Sequence, residues 1–151
     1  MIERHPVNSP LALELIADLD ADLRARYPED AVHFFQLDEA EVLPGRGGFY
    51  VVRVDGEPAG CGAFRTIGPG VAELKRMYVR PQFRGRRLSS AFVAHLELEA
   101  RAIGITHLKL ETGPNQHEAI ALYEHAGFTP CDCWGDYEGE PHSLCYEKWL
   151  S

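Results

Sequence analysis

The segment Arg80 to Ser90, RPQFRGRRLSS, carries the clearest chemistry in this 151-residue chain. From Lys75 to Arg87 stand six basic residues: Lys75, Arg76, Arg80, Arg84, Arg86 and Arg87, with no acid among them. The whole chain has a net charge of −8, so everything outside that island carries −14. The island joins a strand-like run to a helix-like run. A helix start offers unpaired N–H donors and a partial positive charge. Gly85 lets backbone come close to a ligand. The combination suits a phosphate or pyrophosphate, against the plainer reading of a solvated basic turn. It is neither a nucleotide P-loop, lacking G-x-x-x-x-G-K-[ST], nor a dinucleotide fingerprint, having one Gly.

The other reactive residue types give weaker patterns. The cysteines are Cys61, Cys131, Cys133 and Cys145. The start, MIERHPVNSP, has no apolar export segment, so they read as reduced thiols of a cytoplasmic protein. Cys131, Cys133, His142 and Cys145 are metal-capable types, but C-x-C with H-x-x-C is not a common zinc spacing, and no metal is expected. Nor does a Cys–His–Asp pattern mark a nucleophile. His95, His107 and His125 fall in regular elements as surface or packing residues. His33 and His142 are candidates for a pocket wall.

The elements that must position the loop follow from punctuation and periodicity. Met1 to Val7 reads as a short strand. Ser9 and Pro10 start a helix with Leu11, Leu15, Leu19 and Leu23 on one stripe, ending near Tyr27–Pro28. Phe49–Val54, Ala59–Ile67 and Val71–Val79 form an antiparallel meander through Asp55-Gly56 and Gly68-Pro69-Gly70. Leu88–Ile103 is a helix closed by Gly104. His107–Glu111 is a strand, and Asn115–Ala126 a helix closed by Gly127. Phe128–Cys133 and Ser143–Trp149 are final strands around a polar loop. The expected class is a single mixed α/β (α+β) domain, residues 1–151, with a largely antiparallel sheet flanked by helices. A hydrophobic fraction of 45% fits a globular domain, and no run is long enough to span a membrane. The acidic remainder argues against nucleic-acid binding.

ELKRMYVRPQFRGRRLSSAF resembles the acyl-CoA binding motif of the GNAT superfamily of N-acyltransferases. Gln82-Phe83-Arg84-Gly85-Arg86-Arg87 falls on its Q/R-x-x-G-x-G/A loop. ETGPNQHEAIALYEHAGF, from Glu111 to Phe128, resembles the family's next strand and its N-x-x-A-x-x-L-Y-x-x-x-G-F helix. The chain departs at Arg87, where the loop ends on Gly or Ala, and at Ser89. The backbone donors should survive, since any L-residue can be helical there; the Arg87 side chain puts coenzyme affinity and pose in question.

The resemblance implies a sheet splayed at the acyl-CoA site and transfer of an acetyl group from acetyl-CoA, as co-substrate, to a primary amine in a ternary complex. The alternative is a catalytically weak acyl-CoA-binding module. By the same resemblance, Arg84, Gly85, Arg86, Arg87, Leu88 and Ser89, with Gln82, hold the pyrophosphate. Met77, Tyr78 and Val79 pair with the pantetheine through their backbone, an N–H near Val79 faces the oxyanion, and Asn115 bonds the pantetheine arm or caps its helix. Glu73 is the candidate base, against a salt bridge to Lys75 or Arg76. Tyr123 is the candidate acid, against a core tyrosine, with His117 as a minor alternative proton carrier. Residues 14–41 hold nine acids, and Asp132, Asp136, Glu138 and Glu140 four more. If they flank the acceptor, they favour a cationic amine. The acceptor, the acyl chain and the oligomer, a homodimer being one option, are not specified.

Overall fold

The computed structural model describes residues 1–27 and 37–150. Seven strands form one sheet in the order β1-β2-β3-β4-β5-β7-β6: β1 Ile2–His5, β2 Gly47–Val54, β3 Glu57–Gly68, β4 Val71–Val79, β5 His107–Thr112, β6 Thr129–Pro130 and β7 Leu144–Trp149. Three helices cover it: α1 Pro10–Arg26, α2 Leu88–Ala102 and α3 His117–His125. Every pairing is antiparallel except β4 with β5. The mixed, largely antiparallel sheet is the architecture expected from the sequence.

Local chemistry explains the elements. The Ser9 hydroxyl accepts the Ala12 N–H at 3.1 Å, with Pro10 at the first helical position. Asp55 and Gly56 both take positive φ, 51° and 82°, which the tight β2–β3 hairpin requires. One face of the sheet packs Phe64, Leu74, Leu108 and Leu110 against Phe92, Val93 and Leu96 of α2. The opposite face packs Phe49, Val51, Cys61 and Ala63 against Ala12 and Leu15 of α1.

Two irregularities in β4 open the site. First, β4 and β5 pair only from Val71↔His107 to Leu74↔Leu110, after which they diverge. The expected splay is therefore present. Second, Cys61 faces Tyr78 while Ala63 faces Lys75, so β4 carries one extra residue, and Arg76 sits there at φ 59°. This bulge resets the side-chain alternation. Ala72 and Leu74 face α2, but beyond the bulge it is Met77 and Val79 that pack there, while Tyr78 joins the α1 face. A regular strand would have presented Arg76 and Tyr78 to the α2 side.

Several expectations are corrected. α3 begins at His117, two residues later than expected, because Gln116 takes the N-cap position and its side chain accepts the Gly113 N–H at 2.9 Å. The strand expected over Phe128–Cys133 shrinks to Thr129–Pro130, since Pro130 has no N–H to extend a ladder. The four cysteines are not all free: Cys133 and Cys145 form a disulfide, with Cα atoms 5.3 Å apart, leaving Cys61 and Cys131 as thiols. The Cys131 N–H bonds the Cys145 carbonyl at 2.9 Å, which lays the chain beside β7 and brings Cys133 within reach. The argument from reduced thiols to the cytoplasm falls with it. No helix among the described residues is long and apolar enough to cross a membrane.

Candidate active site

The splay between β4 and β5 holds two adjoining cavities. One, of about 300 Å³, lies over the loop from β4 to α2 and is lined by Met77, Tyr78, Val79, Arg84, Gly85, Arg87, Leu88 and Ser89. The other, of about 470 Å³, is lined by Glu73, Lys75, Glu111, Thr112, Tyr137 and His142 among others. Leu19, Met77, Gln116, Ala119 and Tyr123 line both. Tyr123 thus stands where the cavities meet. It is only 5% exposed, and no partner among the described residues bonds its phenol. Burial pushes its pKa well above the ordinary phenol value, so the group is protonated at neutral pH.

The smaller cavity has the features of an anion cradle. α2 has no side-chain N-cap bond, so its first turn offers bare N–H groups. Gly85 has φ 81°, and a Cβ there would meet nothing within 4 Å, so the backbone is open to a ligand. The loop's departure from the motif has a visible consequence: Arg87 is the N-cap in the left-handed conformation, φ 60° and ψ 20°, not the helical one expected. A residue with a Cβ is strained there, by about 1–2 kcal/mol, which explains why Gly suits the position.

The basic island is divided. Arg76 pairs with Asp20 at 2.7 Å, and Arg80 with Glu14 and Asp18 at 3.0 and 3.1 Å. Arg84 donates from Nε to the Val79 carbonyl at 2.9 Å and lies 3.8 Å from Asp22. The acids of α1 therefore clamp the helix to β4 and the loop rather than lining an acceptor pocket. Gln82, Arg86 and Asn115 are exposed and line neither cavity. Asn115 donates its amide to the Arg26 carbonyl at 2.9 Å, tying α3 to the end of α1; it neither caps α3 nor faces the coenzyme cavity. His117 is exposed and lines neither cavity. His33 lies outside the described residues.

The larger cavity is built on buried charge. Glu73 is 1% exposed. Its Oε1 accepts Arg65 Nε and Nη2 at 3.1 and 2.9 Å, and its Oε2 accepts the Tyr137 hydroxyl at 2.6 Å. Arg65 also donates to Glu41 at 2.6 Å. Lys75 Nζ donates to the Tyr137 oxygen at 3.3 Å, and burial lowers its pKa. Both oxygens of Glu73 are thus engaged, and its ion-pair partner is Arg65, not the Lys75 or Arg76 expected. Glu111, across the splay on β5, accepts the Ser143 hydroxyl at 2.7 Å on Oε2. Burial pushes its pKa up. Thr112 Oγ1 is the buried side-chain oxygen left without a partner among the described residues.

Sequence reasoning passed over Arg65, Tyr137, Glu111 and Ser143. Arg65 was within reach: folding back about Gly68-Pro69-Gly70 sets Arg65 against Glu73, the observed register. Tyr137 and Ser143 had no such signal, because a long irregular loop carries them across the sheet.

No group of three or more metal-capable side chains occurs among the described residues. A splayed sheet carries a glycine-opened helix N-terminus on one side of a buried tyrosine and a carboxylate pocket on the other, the arrangement expected from the loop motif. The family model for the "Acetyltransferase (GNAT) family" matches residues 13–128. An IAA acetyltransferase of Azospirillum brasilense is 39% identical over 93% of this chain and 93% of its own. The crystal structure of a Klebsiella pneumoniae protein assigned to the acyl-CoA N-acyltransferases superposes with a TM-score of 0.87 at 34% identity, covering 100% of this chain and 97% of that one. A GNAT family acetyltransferase from Elizabethkingia anophelis, solved with acetyl-CoA bound, shares the fold: TM-score 0.70, 17% identity, 99% of this chain and 97% of its own. The chain belongs to the GNAT acetyltransferase family, whose general reaction takes an acetyl group from acetyl-CoA.

Proposed function

We propose that this enzyme moves the acetyl group of acetyl-CoA directly onto a primary amine, with both substrates bound together and Tyr123 as the acid that protonates the departing thiolate. The observation that carries the reading is Tyr123, a buried residue whose hydroxyl bonds no described residue and stands where the two cavities meet. The pyrophosphate lies on the α2 N-terminus with Gly85 giving room, and the thioester enters past Met77 to Val79. A thiol of pKa near 8.5 leaves as a costly anion in such a dry place, so a proton shared from the phenol lowers the barrier.

The acceptor fills the larger cavity, which has the size of a small-molecule site. Its charged lining is Glu73, Glu111, Asp136 and Glu140 against Lys75 and Arg76. The acidic excess supports an acceptor that carries an ammonium group, a role played by β4, β5 and the loop and not by the α1 acids. The name of the Azospirillum brasilense relative places IAA in the panel of acceptors to try.

The test is acetyl-CoA binding by calorimetry followed by thiol release with amine, neutral and acidic acceptors. The reading expects saturable acetyl-CoA binding and amine-dependent thiol release. Binding without release on any amine would favour the acyl-CoA-binding module instead.

A further inference from the structure

Glu73 and Glu111 both face the acceptor cavity from the two strands that diverge, and their surroundings differ. Glu73 has both oxygens engaged by Arg65 and Tyr137, so neither is free to take a proton without breaking an ion pair or displacing a hydroxyl donor. Glu111 has one oxygen on Ser143 and no partner on the other among the described residues. Building on the acetyl-transfer reading, we propose that Glu111 is the carboxylate that receives the acceptor amine and takes its proton, and that Ser143 is the residue that positions it.

The groups facing Glu111 set its chemistry. From β4 come Glu73, Lys75 and Arg76; from the loop come Asp136, Tyr137, Glu140 and His142. α1 contributes Leu19 and Leu23, Tyr27 follows at its C-cap, and α3 contributes Ala119 and Tyr123, so neither helix adds a formal charge to the cavity. Burial and the neighbouring Glu73 and Glu140 make the Glu111 proton harder to lose, while the Ser143 hydroxyl and Lys75 act the other way. The result is a carboxylate more basic than an exposed one, which suits proton abstraction better than an ion-paired carboxylate does. Ser143 reaches Glu111 from the loop that the Cys133–Cys145 disulfide closes.

The acceptor arrives as an ammonium and loses one proton to Glu111, leaving a neutral amine. Its lone pair forms the C–N bond at the thioester carbonyl. The C–S bond breaks with its electron pair going to sulfur, and Tyr123 protonates the sulfur. The second nitrogen proton restores the Tyr123 phenol, and Glu111 passes its proton to solvent.

The experiment is a pH profile of kcat/KM for amine acetylation with the wild type, Glu111→Gln, Ser143→Ala and Glu73→Gln, with acetyl-CoA affinity and melting temperature measured alongside. Wild-type activity should fall on the acid side as Glu111 gains its proton. Glu111→Gln should lose roughly 10²–10⁴-fold in kcat/KM, remove that acid limb and leave acetyl-CoA affinity in place. Ser143→Ala should move the limb to higher pH, because it deletes a bond to the ionised form; a packing role alone would not shift it. Glu73→Gln should keep the limb and move it to lower pH, because one opposing charge is gone. If Glu111→Gln binds acetyl-CoA normally yet keeps the limb, or if Glu73→Gln abolishes it, the proposal is overturned. A misfolded Glu111→Gln would leave the decision to Ser143→Ala, where an unmoved limb overturns it. Wild-type protein that turns over no amine would overturn the acetyl-transfer reading itself, and this inference with it.

Discussion

On one side of Tyr123 half of the cavity wall is one stretch of chain, Met77 to Ser90, presenting backbone donors and a glycine. On the other side it is drawn from α1, β4, β5, α3 and the loop of residues 136–143, and its centre is a buried ionic network. The coenzyme side can therefore lose single side chains and keep its donors, because helix N–H groups do not depend on side-chain identity. The acceptor side cannot. Glu73, Arg65, Tyr137 and Lys75 share partners, so removing one takes a hydrogen-bond or ion-pair partner from another in a buried place. The first side is a site of position; the second is a site of mutual charge balance.

This contrast can be broken at its strongest point first. Glu73→Ala should destabilise the fold by roughly 3 kcal/mol, because it removes the buried carboxylate that both Arg65 and Tyr137 donate to, with Glu41 still holding one end of Arg65. At about 2–4 °C per kcal/mol, calorimetry should record a fall of roughly 6–12 °C in melting temperature. A change under 2 °C would mean the network contributes no stability. On the coenzyme side the effect should fall on binding. Gly85→Asp adds a carboxylate beside the phosphate and strains a position at φ 81°, so acetyl-CoA affinity should drop by about 2–3 kcal/mol, the worth of one charged hydrogen bond. Unchanged affinity would remove the loop from the site.

Smaller changes sharpen the same contrast. Tyr137→Phe removes the hydroxyl that Glu73 accepts and Lys75 donates to, and should cost about 1–2 kcal/mol in chemical denaturation. Arg87→Gly should instead add up to about 1 kcal/mol, since glycine takes φ 60° without the Cβ penalty and offsets part of that gain by its looser unfolded chain. Stability that falls in this variant would show Arg87 making a contact that outweighs its backbone strain.

The two sides also differ in how far the sequence revealed them. The β4–α2 loop was legible because its residues are consecutive: Gly85 and the start of α2 fall together in one motif. The meander and both later helices were legible for the same reason, through Asp55-Gly56, Gly104 and Gly127. The bulge at Arg76 was not, because no glycine marks it; only the register of Cys61 and Ala63 against Tyr78 and Lys75 exposes it. The acceptor pocket was hardest, since Glu73, Glu111 and Tyr137 meet only through a splayed sheet and an irregular loop. The acids of residues 14–22 misled for an instructive reason. Charge counted along the chain did not reveal that Asp18 and Asp20 were already matched by Arg80 and Arg76 across the fold.

Tyr123 is where the two halves join, and Tyr123→Phe tests the junction most directly. The ring and its edge-on contact with Phe128, centroids 5.8 Å apart, stay in place, and only the hydroxyl is lost. Steady-state kinetics with acetyl-CoA and a turned-over amine should show kcat falling by roughly 10²–10⁴-fold, while the acetyl-CoA dissociation constant and the melting temperature stay nearly unchanged. Full kcat in the variant, or equal losses in kcat and acetyl-CoA binding, would contradict a phenol that acts on the departing sulfur.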